Sequence, residues 1–216
     1  MAFLDLVKEH GVVAIVRGIA PEYMMDLAQA LHRGGICLLE CTFNQKDPDS
    51  WKGTLDSIAK VGKAFGDSMV VGAGTVLSLD QLHMTLDAGG KFFVSPNVDV
   101  KVIGEAKRLG MGALPGIMTP SEAVMAHDAG ADAVKLFPAG NLGPGYLKAM
   151  RAPLSHIDFL AVGGVDEKNV AEYIRAGAIG AGVGGNLAKK ALIEAGKFDE
   201  IEACARALVE AVKSAQ

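Results

Sequence analysis

Five times along this chain a helix-like stretch ends in a small-residue break and runs straight into a short apolar segment. Arg33-Gly34-Gly35 leads into Ile36-Cys37-Leu38-Leu39-Glu40, Ala88-Gly89-Gly90 into Lys91-Phe92-Phe93-Val94, and Leu109-Gly110-Met111 into Gly112-Ala113-Leu114-Pro115. Ala129-Gly130-Ala131 opens the run that holds Val134-Lys135-Leu136, and Ala176-Gly177-Ala178 precedes Ile179 to Val183. At each break a glycine fits the left-handed position that closes a helix before a short αβ loop. Val12 to Val16, Met69 to Gly72 and Asp158 to Val162 bring the expected strands to eight. Amphipathic stretches lie between them: Glu22 to His32, Leu79 to Asp87, Val100 to Leu109, Ser121 to Asp128 and Glu167 to Arg175. Eight short strands alternating with helices predict parallel βα units closed into a (β/α)8 barrel. An open doubly wound sheet would call for a Gly-rich fingerprint after the first strand, and Arg17-Gly18-Ile19-Ala20 stands there instead. A length of 216 residues suits one such barrel, so 1–216 reads as a single domain.

Some helix starts are also legible. Thr119-Pro120-Ser121-Glu122 places Thr at an N-cap with Pro at the first helical position, and Asp166 is expected to cap a helix beginning at Glu167. Tyr146 is expected to begin the helix after the sixth strand, Trp51 to pack a helix near the mouth of the second, and 45–50 to form a polar loop.

Composition narrows the partners. A formal net charge of −4 offers no electrostatic footprint for nucleic acid or an acidic membrane. No apolar stretch approaches the ~20 residues of a transmembrane helix. The residues Asp5, Lys8, Glu9 and His10 interrupt any signal-peptide core. Cys37, Cys41 and Cys204 show neither ligand spacing nor a disulfide framework, which points to a reduced, cytoplasmic setting. The histidines His10, His32, His83, His127 and His156 are scattered, so no metal and no cofactor is expected.

In a barrel of this kind the active site lies at the C-terminal ends of the strands. Arg17 follows the first strand, Glu40 closes the second, Thr75 follows the third, and Ser95-Pro96-Asn97 follows the fourth. Pro115-Gly116 follows the fifth, Lys135 lies late in the sixth, and the seventh and eighth end in Gly163-Gly164 and Gly184-Gly185. Side-chain alternation puts Ala131, Ala133, Lys135 and Phe137 on one face, with small residues beneath Lys135 as a lumen position requires. Glu40 shares its face with Leu38 and Ile36, so a carboxyl and an amine can meet across the lumen. Burial favours the neutral amine of Lys135, which is the form that attacks a carbonyl. The dull alternatives are a snorkelling Lys135, a Glu40 that only pairs with it or with Arg17, and a Thr75 that caps a helix. Glycine pairs after the last two strands match the barrel phosphate site, and Asn186 adds a side-chain donor.

Taken together, Val71-Gly72-Ala73-Gly74-Thr75-Val76, Pro115-Gly116, Val134-Lys135-Leu136-Phe137-Pro138-Ala139 and Gly163-Gly164 resemble the KDPG/KHG aldolases from about Gly11 onward. The resemblance implies a class I aldolase that cleaves a 2-keto-3-deoxy-6-phosphoaldonate to pyruvate and glyceraldehyde 3-phosphate. It implies a Schiff base on Lys135, proton transfer by Glu40, and Thr75 near the pyruvyl carboxylate, with Pro96 beside it. Gly163, Gly164, Gly184, Gly185 and Asn186 would hold the phosphate, and the family commonly forms homotrimers. Two positions depart from the phosphogluconate pattern. Asn44 stands where that branch carries an Arg that helps bind the carboxylate, so the resemblance makes Asn44 a candidate carboxylate or pyruvyl contact, and Val162 stands where that branch carries a Thr. Both look closer to the phosphogalactonate branch, with Arg17 as the candidate replacement on the carboxylate. Two other readings remain: a phosphosugar isomerase or epimerase with Glu40 as base, and a silent phosphosugar-binding barrel.

Overall fold

The computed structural model describes residues 2–216. Nine strand segments form a single parallel sheet: β1 (Val12–Val16), β2 (Leu38–Thr42), β3 (Val70–Gly74), β4 (Phe92–Val94), β5 (Gly112–Leu114), β6 (Gly116–Ile117), β7 (Val134–Leu136), β8 (Phe159–Val162) and β9 (Gly180–Val183). The ladder runs β5-β4-β3-β2-β1-β9-β8-β7-β6. The segment β5 is the fifth expected strand, and the structure carries that strand on past Pro115, whose missing N–H breaks the ladder, into β6. The first half pairs with β4 and the second with β7. Backbone bonds from Asp132 N to Ala113 O, Lys135 N to Pro115 O and Phe137 N to Ile117 O close the seam. The nine segments are thus the eight strands of a closed (β/α)8 barrel.

The outer layer follows the chain: α2 (Met24–Arg33), α3 (Trp51–Phe65), α4 (Leu79–Asp87), α5 (Val100–Arg108), α6 (Pro120–Asp128), α7 (Ala139–Arg151), α8 (Val170–Arg175), α9 (Lys190–Glu194) and α10 (Phe198–Lys213). For this numbering α1 is the N-terminal helix Phe3–His10. The closing glycines Gly35, Gly89, Gly110, Gly130 and Gly177 all take positive φ, between 72° and 104°, as the breaks in the sequence require. Thr119 caps α6 in a reciprocal arrangement with Glu122.

Packing separates into two layers on either side of the sheet. Val134 and Leu136 point outward into the helix layer, while Ala133 joins Val13, Leu38, Phe92, Leu114 and Leu160 in the lumen. The N-terminal helix α1 closes the lumen from below, with Phe3, Leu4 and Val7 at helical spacing entering the inner cluster. The ring of Phe3 stacks on Phe92 with centroids 5.1 Å apart. This plug was not anticipated from the sequence, because charges at Asp5, Lys8 and Glu9 dilute its apolar stripe.

Three local expectations are corrected. Ile36 lies before β2 and packs in the outer layer, so it does not share the lumen face of Glu40. The helix expected from Glu167 begins at Val170. Asp166 instead accepts from the N–H of Lys168 in a turn that precedes it. Helix α7 begins at Ala139 and kinks at Gly143-Pro144, which leaves Tyr146 inside it, donating its hydroxyl to the Met118 carbonyl at 2.6 Å. Trp51 opens α3 with its ring edge on Phe43, as expected. Among the described residues no helix is long and apolar enough to cross a membrane.

Candidate active site

The C-terminal ends of the strands surround a cavity of about 320 Å³. Ile15 and Arg17 reach it from the end of β1, Glu40 from β2, Thr75 from the loop after β3 and Pro96 from the loop after β4. Lys135 and Phe137 enter from β7 and its exit. Val162, Gly163 and Gly164 enter from β8, and Gly182, Gly184, Gly185 and Asn186 from β9. Residues as far apart in the chain as Ile15 and Asn186 thus converge because every strand runs the same way.

Lys135 and Glu40 carry the site's electrostatics. Lys135 is 8% exposed and Glu40 2%, and beneath them lies an apolar wall of Val13, Val94, Leu114 and Leu160. Burial lowers the pKa of Lys135 below its usual range. The carboxylate of Glu40 opposes that shift, and the guanidinium of Arg17 adds to it. Burial raises the pKa of Glu40, against the charges of Lys135 and Arg17. Each group is therefore driven by desolvation toward its neutral form, which is the form an attacking amine and a proton donor need. Among the described residues Glu40 Oε2 has no hydrogen-bond partner, so this carboxyl oxygen is uncommitted within the fold. Gly74 makes room for it, since a Cβ there would overlap Glu40 Oε1. The ring of Phe137 lies 4.8 Å from the Lys135 amine. Alternation places Phe137 on the Lys135 face, but no motif or spacing ranks it as a site residue.

Thr75 is the one non-glycine residue with positive φ among those described, at 55°. For a β-branched side chain this conformation is strained by about 1–3 kcal/mol and is found where surrounding contacts over-determine it. Its hydroxyl accepts from Arg17 Nη2 at 3.3 Å, and its carbonyl accepts from Gln45 Nε2 at 2.7 Å. At the opposite rim Gly163 and Gly164 both take positive φ, at 89° and 74°. Asn186 Nδ2 donates to the Val165 carbonyl at 3.4 Å, joining the loops after β8 and β9.

Of the residues expected from sequence to contact substrate, Asn44 alone falls outside this cavity, and of the other strand-end residues Ser95, Asn97, Pro115 and Gly116 do not line it. The chain turns outward after Thr42, so Asn44 lines a neighbouring cavity of about 370 Å³ beside α3. Its Oδ1 accepts from Lys46 N at 3.1 Å and its carbonyl from Trp51 Nε1 at 2.8 Å. Arg17 is then the cation that stands beside Thr75. A group of three or more side chains able to hold a metal ion is absent among the described residues.

Comparison with known proteins agrees with this geometry. A model of the KDPG and KHG aldolase family matches residues 4–204. The probable 2-dehydro-3-deoxy-6-phosphogalactonate aldolase of Rhizobium meliloti (strain 1021) is 40% identical over 182 residues, 84% of this chain and 83% of that protein. A solved structure of native KDPGal superposes with a TM-score of 0.85 at 36% identity, covering 94% of this chain and 95% of its own. KDPG aldolase from Legionella pneumophila, solved with pyruvate captured at low pH as a covalent carbinolamine intermediate, is 25% identical. It superposes with a TM-score of 0.84 over 95% of this chain and 97% of its own.

Proposed function

The chain belongs to the KDPG and KHG aldolase family and is a carbon–carbon lyase for 2-keto-3-deoxy-6-phosphoaldonates; we propose that it works through a Schiff base on Lys135, with Glu40 moving the protons. The observation that carries this reading is a buried amine and a buried carboxyl lining one cavity, both shifted toward neutrality.

The neutral Lys135 amine attacks the C2 ketone, and a proton supplied through Glu40 lets the carbinolamine lose water to give a protonated imine. Glu40 then takes the proton of the C4 hydroxyl. The C3–C4 bond breaks, its electron pair moves into the imine as an enamine, and C4 leaves as the aldehyde of glyceraldehyde 3-phosphate. Protonation at C3 and hydrolysis of the imine release pyruvate and regenerate the amine. Arg17 and Thr75 hold the C1 carboxylate. The turns Gly163-Gly164 and Gly184-Gly185, with Asn186, hold the phosphate on the opposite rim, as loops of this kind do in such barrels.

For the substrate we favour the phosphogalactonate epimer. Asn44 is turned away from the cavity and Val162 replaces a hydroxyl at its wall. Identity is also higher to the native KDPGal structure, at 36%, than to the Legionella KDPG aldolase, at 25%. We further propose a cytoplasmic homotrimer. Its contact face would be the exposed apolar surface of α4, α5, α6 and their loops, where Met84, Val100, Met118, Val124 and Met125 lie open. A shallow groove of about 780 Å³ between α5 and α6 belongs to this face and brings no titratable pair together, so it is not a rival active site.

The test is borohydride reduction in the presence of pyruvate, read by intact mass and peptide mapping. A pyruvyl adduct on Lys135, absent in Lys135→Met, is expected. A folded protein that gives no adduct at saturating pyruvate would refute the imine mechanism and return Glu40 to the role of an isomerase base. Comparison of kcat/KM for the two C4 epimers then decides the substrate.

A further inference from the structure

The strained backbone of Thr75 is held from behind by two glutamines that do not line the cavity. The Leu77 N–H donates to Gln81 Oε1 at 2.7 Å, and Gln81 Nε2 donates to Gln45 Oε1 at 3.0 Å. Gln45 Nε2 in turn donates to the Thr75 carbonyl at 2.7 Å. We propose that Gln45 and Gln81 are positioning residues for substrate binding, a polarised amide relay that keeps Thr75 left-handed so that its hydroxyl stays beside Arg17. The inference rests on the reading of Thr75 and Arg17 as the carboxylate contacts.

Three features carry it. Gln81 is 1% exposed, and a buried amide with both ends bonded has only one orientation that satisfies them. Its own N–H donates to Ser78 Oγ at the N-cap of α4, which anchors the relay to a helix. The polarity is therefore set at Leu77 and passed outward, so Gln45 must present its NH2 end to the Thr75 carbonyl. If that bond is lost, the β-branched Thr75 is free to relax toward ordinary φ. Rotation of its backbone would carry the hydroxyl, which now lies 3.3 Å from Arg17 Nη2, out of register.

Gln45 is exposed, so its replacement tests the relay without opening the core. Gln45→Met keeps the length of the side chain and removes both hydrogen bonds. Borohydride trapping across a pyruvate titration should show the half-saturating concentration raised about three- to ten-fold, with the same maximal adduct and the same thermal midpoint. Gln81→Met should raise it similarly, and the double variant should be no worse than Gln45→Met alone, because Gln81 reaches the Thr75 carbonyl only through Gln45. A parent that traps pyruvate on Lys135 while Gln45→Met stays within two-fold of it overturns the relay and leaves the reading of the site intact. A parent that traps none overturns the reading of the site, and this inference with it. Should Gln81→Met fail to fold, the Gln45→Met result alone decides.

Discussion

In the proposed mechanism the chemistry turns on Lys135, whose amine feels its own burial and two neighbouring charges that act in opposite directions. Burial and Arg17 push its pKa down, while Glu40 pulls it up. Adduct formation needs the free amine, so its rate should climb with pH through the lowered pKa and level off above it. Arg17→Ala removes a cation that disfavours protonation, and the climb should move to higher pH. Glu40→Gln removes a carboxyl that favours protonation of the amine whenever it is ionised, and the climb should move to lower pH. The pH dependence of Lys135 trapping in the two variants reads both directions. Shifts of the same sign would mean that Arg17 and Glu40 do not sense the amine directly. Lys135 and Glu40 were legible from sequence because both stand at the C-terminal ends of strands on faces that alternation turns to the lumen, although each residue alone has an innocent explanation. Gln81 was not, since a polar residue on an amphipathic helix looks the same whether it faces water or a backbone carbonyl.

Among the elements, the β5–β7 seam shows how a side chain completes a barrel. The ladder is interrupted at Pro115, and Asp132 Oδ2 accepts from the Ala113 N–H at 2.8 Å just below the break. Lys107, on α5, holds both oxygens of Asp132 at 2.6 and 2.7 Å. Its ammonium is a third exposed, so the ion pair by itself contributes less than about 1 kcal/mol. The larger loss comes from leaving a strand N–H without its charged acceptor. Asp132→Ala should therefore destabilise the protein by about 2–3 kcal/mol in urea unfolding at unchanged m-value. Asp132→Asn keeps an acceptor and should cost under about 1 kcal/mol. Equal losses for the two variants would assign the effect to charge instead of to the seam. The order of elements was readable from the glycine-closed helix ends, whereas the side-chain contact at this seam was not, because no short-range pattern says that the Asp132 carboxylate meets the Ala113 N–H.

For the whole molecule, most of the large exposed apolar residues lie on the consecutive elements α4, α5 and α6 and their loops, Phe137 at the cavity being the exception. Leu79, Met84, Val100, Met118, Val124 and Met125 are each between 38% and 50% exposed. Contiguous apolar surface of this sort marks an interface more often than free surface. The parent protein should run as a trimer in light scattering, and the paired substitutions Val124→Glu and Met125→Glu should shift it to monomer. A parent that is monomeric at working concentration would remove the oligomer from the proposal. By itself the sequence determined the barrel, its strand count and most of the residues at its mouth. Those depend on periodicity, glycine placement and side-chain alternation, which are local properties of the chain. Only the tertiary structure decided that Asn44 faces away from the cavity, that α1 plugs the lumen and that Thr75 is held left-handed by a relay from Gln81. Each of these depends on where a distant segment lies when the barrel closes, and no short-range pattern encodes that.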